Sequence, residues 1–173
     1  MRNKLIVFVI ALVILSVYGA AQEVPLNLQV KLMLKIISMD RNFTRFGDPI
    51  KIGVSSDEFL KELNAIKGKL TIKGKNFVAE KMASPDKVPD YRVIYMGTNW
   101  SRSYLTASAK AAESKCLVFC QAEEGVTKGG GAVSFKVVDG RPKIVVNVGN
   151  AKKQGTDFPA GFLKITVVVG GLR

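Results

Sequence analysis

The chain has 173 residues, 47% of them hydrophobic, with 26 Lys and Arg against 14 Asp and Glu and a net charge of +12. It has no histidine and only two cysteines, which removes the commonest general base and metal ligand and leaves too few thiols for a four-ligand zinc site. The basic balance suits a membrane surface or an acidic protein once the chain is exported, and excludes nucleic acid as the natural partner; plain solubility explains the same charge.

Arg2 and Lys4 precede an unbroken apolar run from Leu5 to Leu15, and Gly19, Ala20 and Ala21 are small residues at the spacing that signal peptidase cleaves. Residues 1–21 therefore read as a signal peptide for the periplasm, cleaved after Ala21. The alternative is a retained anchor, because Leu5 to Ala21 lies at the short edge of what crosses a bilayer. Residues 22–173 have the size of a single domain, and no later segment approaches a transmembrane length.

Leu26, Val30, Met33, Leu34 and Ile37 recur at spacings of three and four, which predicts a helix with Asn27 placed to cap it. Gly47, Asp48 and Pro49 make a turn, and Ile50, Ile52 and Val54 alternate as a strand. Ser55 stands three before Glu58, the capping-box spacing, and Phe59, Leu60 and Leu63 follow on one helical face. Ile66-Lys67-Gly68-Lys69 and Ile72-Lys73-Gly74-Lys75 nearly repeat. Two copies do not make a repeat protein, and the glycines read as turns in a basic loop, either solvated or a binding surface. Phe77 to Met82 reads as a second strand and "YRVIYMG" as a third. Thr98 or Asn99 caps the next helix, with Trp100, Tyr104 and Leu105 on its inner side.

"CLVFC" reads as the fourth strand. Cys116, Val118 and Cys120 then share a face, and the two cysteine Cα atoms stand roughly 13 Å apart, beyond the ~7 Å a disulfide allows. Both are expected to be buried and not bridged to each other. Gln121 to Lys128 reads as a polar, exposed loop, with Glu123, Glu124 and Lys128 as candidate partner contacts. Gly129-Gly130-Gly131 leads into a strand, whereas phosphate-binding glycines lead into a helix. "AVSFKVVDGRPKIVVNV" is a hairpin about Asp139-Gly140 that sets Phe135 opposite Ile144 and Val133 opposite Val146. Short helices follow from Asn150 and from Pro159, and "ITVVVGG" fits helix end or strand.

Strand and helix alternate until the hairpin. The fold class is α/β: a mostly parallel central sheet with helices on both faces and an antiparallel C-terminal hairpin at one edge, a three-layer, Rossmann-like arrangement. Ligands in such sheets bind where strand carboxyl ends meet helix N-termini. Ser55 and Ser56, with Thr98 and Asn99, are the candidate ligand residues on that ground, for an anion; ordinary capping explains them equally. Asp40-Arg41, Asp57-Glu58 and Glu123-Glu124 are charged pairs without a nucleophile or base partner, and no Gly-x-Ser-x-Gly elbow occurs. The chain reads as a non-enzyme without cofactor or metal.

From about Val24 to Val168 the order of pieces resembles the YfiR/HmsC-like family of small periplasmic proteins. The pieces are "LQVKLMLKIISMDRNF", "IKIGVSSDEFLKEL" and above all "GGGAVSFKVVDGRPKIVVNVGNAKKQG". Gly130, Gly131, Phe135, Gly140, Asn147, Ala151 and Gly155 stand at the family's motif positions. The resemblance implies a regulator that binds the periplasmic domain of an inner-membrane diguanylate cyclase, sensor or kinase and lowers cyclic-di-GMP output and biofilm formation. It implies no cofactor and leaves a homodimer open. The second reading is a periplasmic small-ligand protein that holds an anion at the strand-end loops.

Overall fold

The computed structural model describes residues 23–170; the expected signal segment lies outside the described residues. The first helix, α1 (Leu26–Met39), buries Val30, Met33, Leu34 and Ile37 as the spacing requires, together with Ile36 and Gln29. Its cap is Pro25 in place of Asn27. The Pro25 carbonyl accepts from the Leu28 and Gln29 amides at 3.0 Å each, so the helix starts two residues earlier.

Strand β1 (Ile50–Val54) runs into α2 (Asp57–Ala65), followed by β2 (Phe77–Lys81) and β3 (Val93–Met96). A 3-10 turn (Thr98–Ser103) leads into α3 (Tyr104–Ser114), then β4 (Leu117–Cys120) and a short α4 (Glu123–Thr127). The hairpin strands are β5 (Val133–Val138) and β6 (Arg141–Asn147), followed by α5 (Val148–Lys153), α6 (Ala160–Leu163) and β7 (Val167–Val169).

The strands form one seven-stranded sheet in the order β2-β1-β3-β4-β5-β6-β7. All neighbours are parallel except β5 and β6. The hairpin register sets Phe135 opposite Ile144 and Val133 opposite Val146, as the sequence predicts. Asp139 and Gly140 both take positive φ, 51° and 69°, which is what a two-residue turn matched to strand twist demands. The hairpin is not the sheet's edge, however. The ambiguous tail forms β7, which pairs with Val145 to Asn147 and becomes the edge strand. Pro142 sits on β6 beyond the reach of β7, where its missing N–H costs nothing.

Strand alternation splits the core in two. On one face Ile52, Val54, Tyr95, Leu117, Phe119 and Phe135 pack under α1 and α2. On the other Ile94, Met96, Val118 and both cysteines pack under α3 and α4. Within α3, Tyr104 is buried, but Leu105 is 67% exposed: the helix turns that position outward. Cys116 and Cys120 are buried and free. Burial pushes the Cys116 thiol up to about 12 and raises Cys120, Tyr95 and Tyr104 as well. Every one of these groups titrates nearer its ordinary value once unfolded, so their stability contribution is whole at neutral pH and lost as pH rises. The melting temperature is expected to fall from about pH 9 upward, where thiols of unfolded chain ionise. A thiol reagent at neutral pH should label neither cysteine in the native protein and both in denaturant.

A buried ion pair ties the segment after α1 to the segment after α5. The Asp40 carboxylate, wholly buried, accepts from the amides of Asn42 at 2.9 Å and Asp157 at 3.0 Å and from Arg45 Nη2 at 3.2 Å. Arg45 also donates to Thr156 Oγ1 at 2.7 Å and to the Lys115 carbonyl, and lies 4.3 Å from the Phe46 ring centroid.

Candidate functional site

The strand order reverses between β1 and β3, the place where open α/β sheets leave a crevice at their carboxyl edge. Three loops and the start of α1 enclose a cleft of about 450 Å³ there, lined by Leu26, Ser56, Asp57, Glu58, Thr98, Asn99 and Gln121. Three of the four residues chosen from sequence line it. The fourth, Ser55, lies beneath it and is committed to the fold. Its Oγ accepts from the Gly97 amide at 2.8 Å and donates to Asn99 Oδ1 at 3.3 Å, while its carbonyl accepts from Asn99 Nδ2 at 2.9 Å. Ser55 and Asn99 thus clasp the β1 and β3 loops together.

The cap of α2 is Ser56, one residue later than the capping-box spacing suggests: the Phe59 amide donates to Ser56 Oγ at 3.3 Å, and that hydroxyl donates to Glu58 Oε2 at 3.0 Å. Thr98 and Asn99 cap nothing. Gly97 precedes a 3-10 turn instead, and the Thr98 amide donates to Gln121 Oε1 at 3.3 Å. Gln121 does not stand out in the sequence because it opens a polar stretch. As the first residue after β4, it follows a strand's carboxyl end just as Ser55 follows β1, and the same rule finds it.

The cleft's charge is acidic. Asp57 and Glu58 occupy the first turn of α2, and Glu23 accepts from Gln121 Nε2 at 3.4 Å. Backbone N–H donation and then the Ser56 hydroxyl hold the Glu58 carboxyl below the usual carboxylate range. Lys81 is engaged by Asp57 at 2.6 Å and the Ser55 carbonyl at 2.9 Å. The helix N-terminus that would attract an anion is thus already served by the chain's own carboxylates.

The expected exposed loop from Gln121 to Lys128 is largely helical. α4 buries Gly125 and Val126 against the sheet, and a Cβ on Gly125 would lie 2.6 Å from that of Cys120. A five-residue helix has too short a pattern to read from sequence; its contact with the sheet makes it form. Glu123 pairs with Lys136 at 2.8 Å and Glu124 with Lys128 at 3.1 Å, so these charges meet partners within the chain.

The glycine run is a packing device. Gly130 has φ +79°, and a Cβ on Gly131 would strike Cys120 Sγ. The carbonyls of Gly130 and Gly131 accept from Gln154 Nε2 and Asn150 Nδ2, each at 3.0 Å. Gln154 Oε1 in turn accepts from the Val118 amide at 2.9 Å, closing the gap where β4 and β5 part. Asn147 caps α5 through the Asn150 amide at 3.0 Å, Ala151 is buried, and Gly155 takes φ +78°. Gly130, Gly131, Asn147, Ala151 and Gly155 thus gather at one joint between the glycine turn and α5, while Phe135 packs in the core under α1 and α2 and Gly140 forms the hairpin turn. Among the described residues, no group of three His, Cys, Asp or Glu could hold a metal, and no helix is long and apolar enough to cross a membrane.

An open, mostly parallel α/β sheet with a cleft at its strand-order reversal places the chain in the α/β class whose ligand crevice lies at the carboxyl ends of the strands. The chain belongs to the YfiR/HmsC-like family, whose model matches residues 40–166; the family in general regulates cyclic-di-GMP cyclases in the periplasm. No curated protein matches it.

Solved structures share the fold at low identity. A conserved domain protein from Vibrio cholerae has a TM-score of 0.59 at 15% identity, over 83% of this chain and 60% of that one. The ABC domain from Streptococcus pneumonia in complex with L-Trp has a TM-score of 0.57 at 16% identity, over 81% and 60%. The ligand-free, open CD0873 from Clostridium difficile, a substrate binding protein with adhesive properties, has a TM-score of 0.52 at 17% identity, over 82% and 58%. This chain thus spans about three fifths of each of these proteins.

Proposed function

We propose that the protein is a periplasmic regulator that binds the outer domain of an inner-membrane signalling protein, a diguanylate cyclase, and holds it inactive. The observation that carries this reading is the family match over residues 40–166, which runs from the buried Asp40 to the residue before β7. The joint of Gly130, Gly131 and α5 supports it, because residues at the motif positions of the resemblance build the scaffold within the matched span. Such a regulator acts only through differential affinity. To move a sensor from nearly all active to nearly all inactive, it must bind the inactive state about 10⁴-fold more tightly. Removing the protein from the cell is expected to raise cyclic-di-GMP and matrix production; an unchanged level of both would sink the proposal.

The cleft favours a second reading, a small ligand bound between Ser56, Thr98, Asn99 and Gln121. Its acidic lip suits an amine-bearing molecule better than the anion expected from sequence, and two structural neighbours are a ligand complex and a substrate binding protein. A thermal-shift series separates the cases. A ligand at a hundred times its dissociation constant adds about 2.7 kcal/mol of stability. Amino acids and amines should raise the melting temperature and phosphate should not; a flat response to all of them would exclude this reading.

A further inference from the structure

The near-repeat of Ile-Lys-Gly-Lys has no part in either core's joint or in the cleft, and its geometry gives it a use. In each copy the isoleucine turns inward and the Lys-Gly-Lys turns out. Ile72 is 1% exposed and Ile66 half-buried, while Lys67, Lys69 and Lys73 are exposed. Gly68 and Gly74 take φ of +77° and +81°, and the bridges Lys67 to Leu70 and Ile72 to Lys75 close a tight turn over each glycine. Lys73 and Lys75 both lie 5.1 Å from the Phe43 ring centroid, which holds the second turn against the body of the domain.

The two turns stand beside α1, whose Lys31 and Lys35 face them across a groove of about 360 Å³. No carboxylate lines that groove, and no Asp or Glu occurs between Glu62 and Glu80. Among the described residues, none of Lys31, Lys35, Lys67, Lys69 and Lys73 forms an ion pair, whereas five other lysines do. In the midst of these charges Leu70 is 45% exposed.

We propose that this face docks on an anionic phospholipid bilayer, with Leu70 entering the headgroup layer and the five lysines around it meeting lipid phosphates. Charge complementarity carries the choice of partner. The patch uses lysine alone. Protein interfaces deplete lysine and favour arginine and aromatic side chains, which make directed contacts. Lysine is a mobile point charge, suited to a fluid layer of phosphates, and an apolar side chain rimmed by lysines matches the headgroup boundary. The inference does not depend on which sensor the protein regulates, because lipid binding is read without any protein partner.

Cosedimentation of residues 23–173 with lipid vesicles tests it. Both hydrophobic cores lie within that span, and omitting the apolar run before it removes a segment that would bind lipid by itself. The expected result is binding to vesicles containing phosphatidylglycerol, none to phosphatidylcholine alone, and release by salt. Lys67→Gln, Lys69→Gln and Lys73→Gln should each lower the partition coefficient about fivefold, and Leu70→Ser should lower it at every salt concentration. Lys143→Gln on β6 and Lys164→Gln after α6 should leave it unchanged. Equal binding to both vesicle types, binding to neither, or binding that the three lysine variants leave intact overturns the proposal. Retention on poly-glutamate without binding to anionic vesicles also overturns it, in favour of an acidic protein partner.

Discussion

Asp40→Ala is expected to cost about 3–5 kcal/mol of stability, the range for removing one partner of a buried ion pair. The loss is large because it is not confined to the pair. The carboxylate, 0% exposed, is the acceptor for the amides of Asn42 and Asp157, and its removal orphans both while leaving the Arg45 guanidinium uncompensated between Phe46 and Thr156. Burial already lowers the Arg45 pKa, against the opposing pull of Asp40. Asp40→Ala combined with Arg45→Ala should lose less than the two single losses summed, since the double variant strands no charge. The neighbouring pair sets the scale. Arg41 and Asp157, 3.5 Å apart with side chains 59% and 44% exposed, should contribute under about 1 kcal/mol when Arg41→Ala breaks them. Urea unfolding measures all four chains, and a loss under about 1 kcal/mol for Asp40→Ala would contradict the account.

Phe59→Ala should cost a similar amount, about 3–5 kcal/mol, for a different reason. The Phe59 ring is fully buried and stacks on Tyr95 with centroids 3.4 Å apart and planes 8° from parallel. Tyr95 in turn donates its hydroxyl to Gln29 Oε1 at 2.8 Å, and Gln29 Nε2 donates to the Val24 carbonyl at 2.7 Å. This column joins α2, the sheet and α1 directly below the cleft, so the cavity left by Phe59→Ala loosens the cleft floor as well as the core. Phe59→Leu, which refills part of the volume, should recover much of the stability. If both variants melted like the parent chain, the column would not be the support inferred here.

What could be read ahead of the structure followed from local periodicity. Ile50, Ile52 and Val54, the Asp139-Gly140 turn and its register, and the shared face of Cys116, Val118 and Cys120 are all period-two patterns, and the sheet builds on them as expected. The features that escaped are settled by distant contacts. Gln29 looks like a solvent residue and is buried because Tyr95, 66 residues away, meets it. Asp40 and Arg41 look like a pair, but Asp40 takes Arg45 and the amides of Asn42 and Asp157, and Arg41 takes the Asp157 carboxylate. β7 has three residues and exists because β6 offers it an edge. Tyr104 and Leu105 both read as core, but adjacent residues lie about 100° apart around a helix, and only Tyr104 faces inward. In the cleft, the rule about strand ends that picks Ser56, Thr98 and Asn99 also reaches Gln121; Leu26 and the acidic lip needed the positions of three loops and α1 at once.

The most direct measurement of the regulatory claim is cyclic-di-GMP in cells lacking the gene, carrying either the whole chain or one without residues 1–21. The account predicts a raised level on loss, a return to the original level with the whole chain, and no return with the chain that lacks residues 1–21. A level that stays the same when the gene is removed, or is restored equally by the chain kept inside the cell, would contradict it.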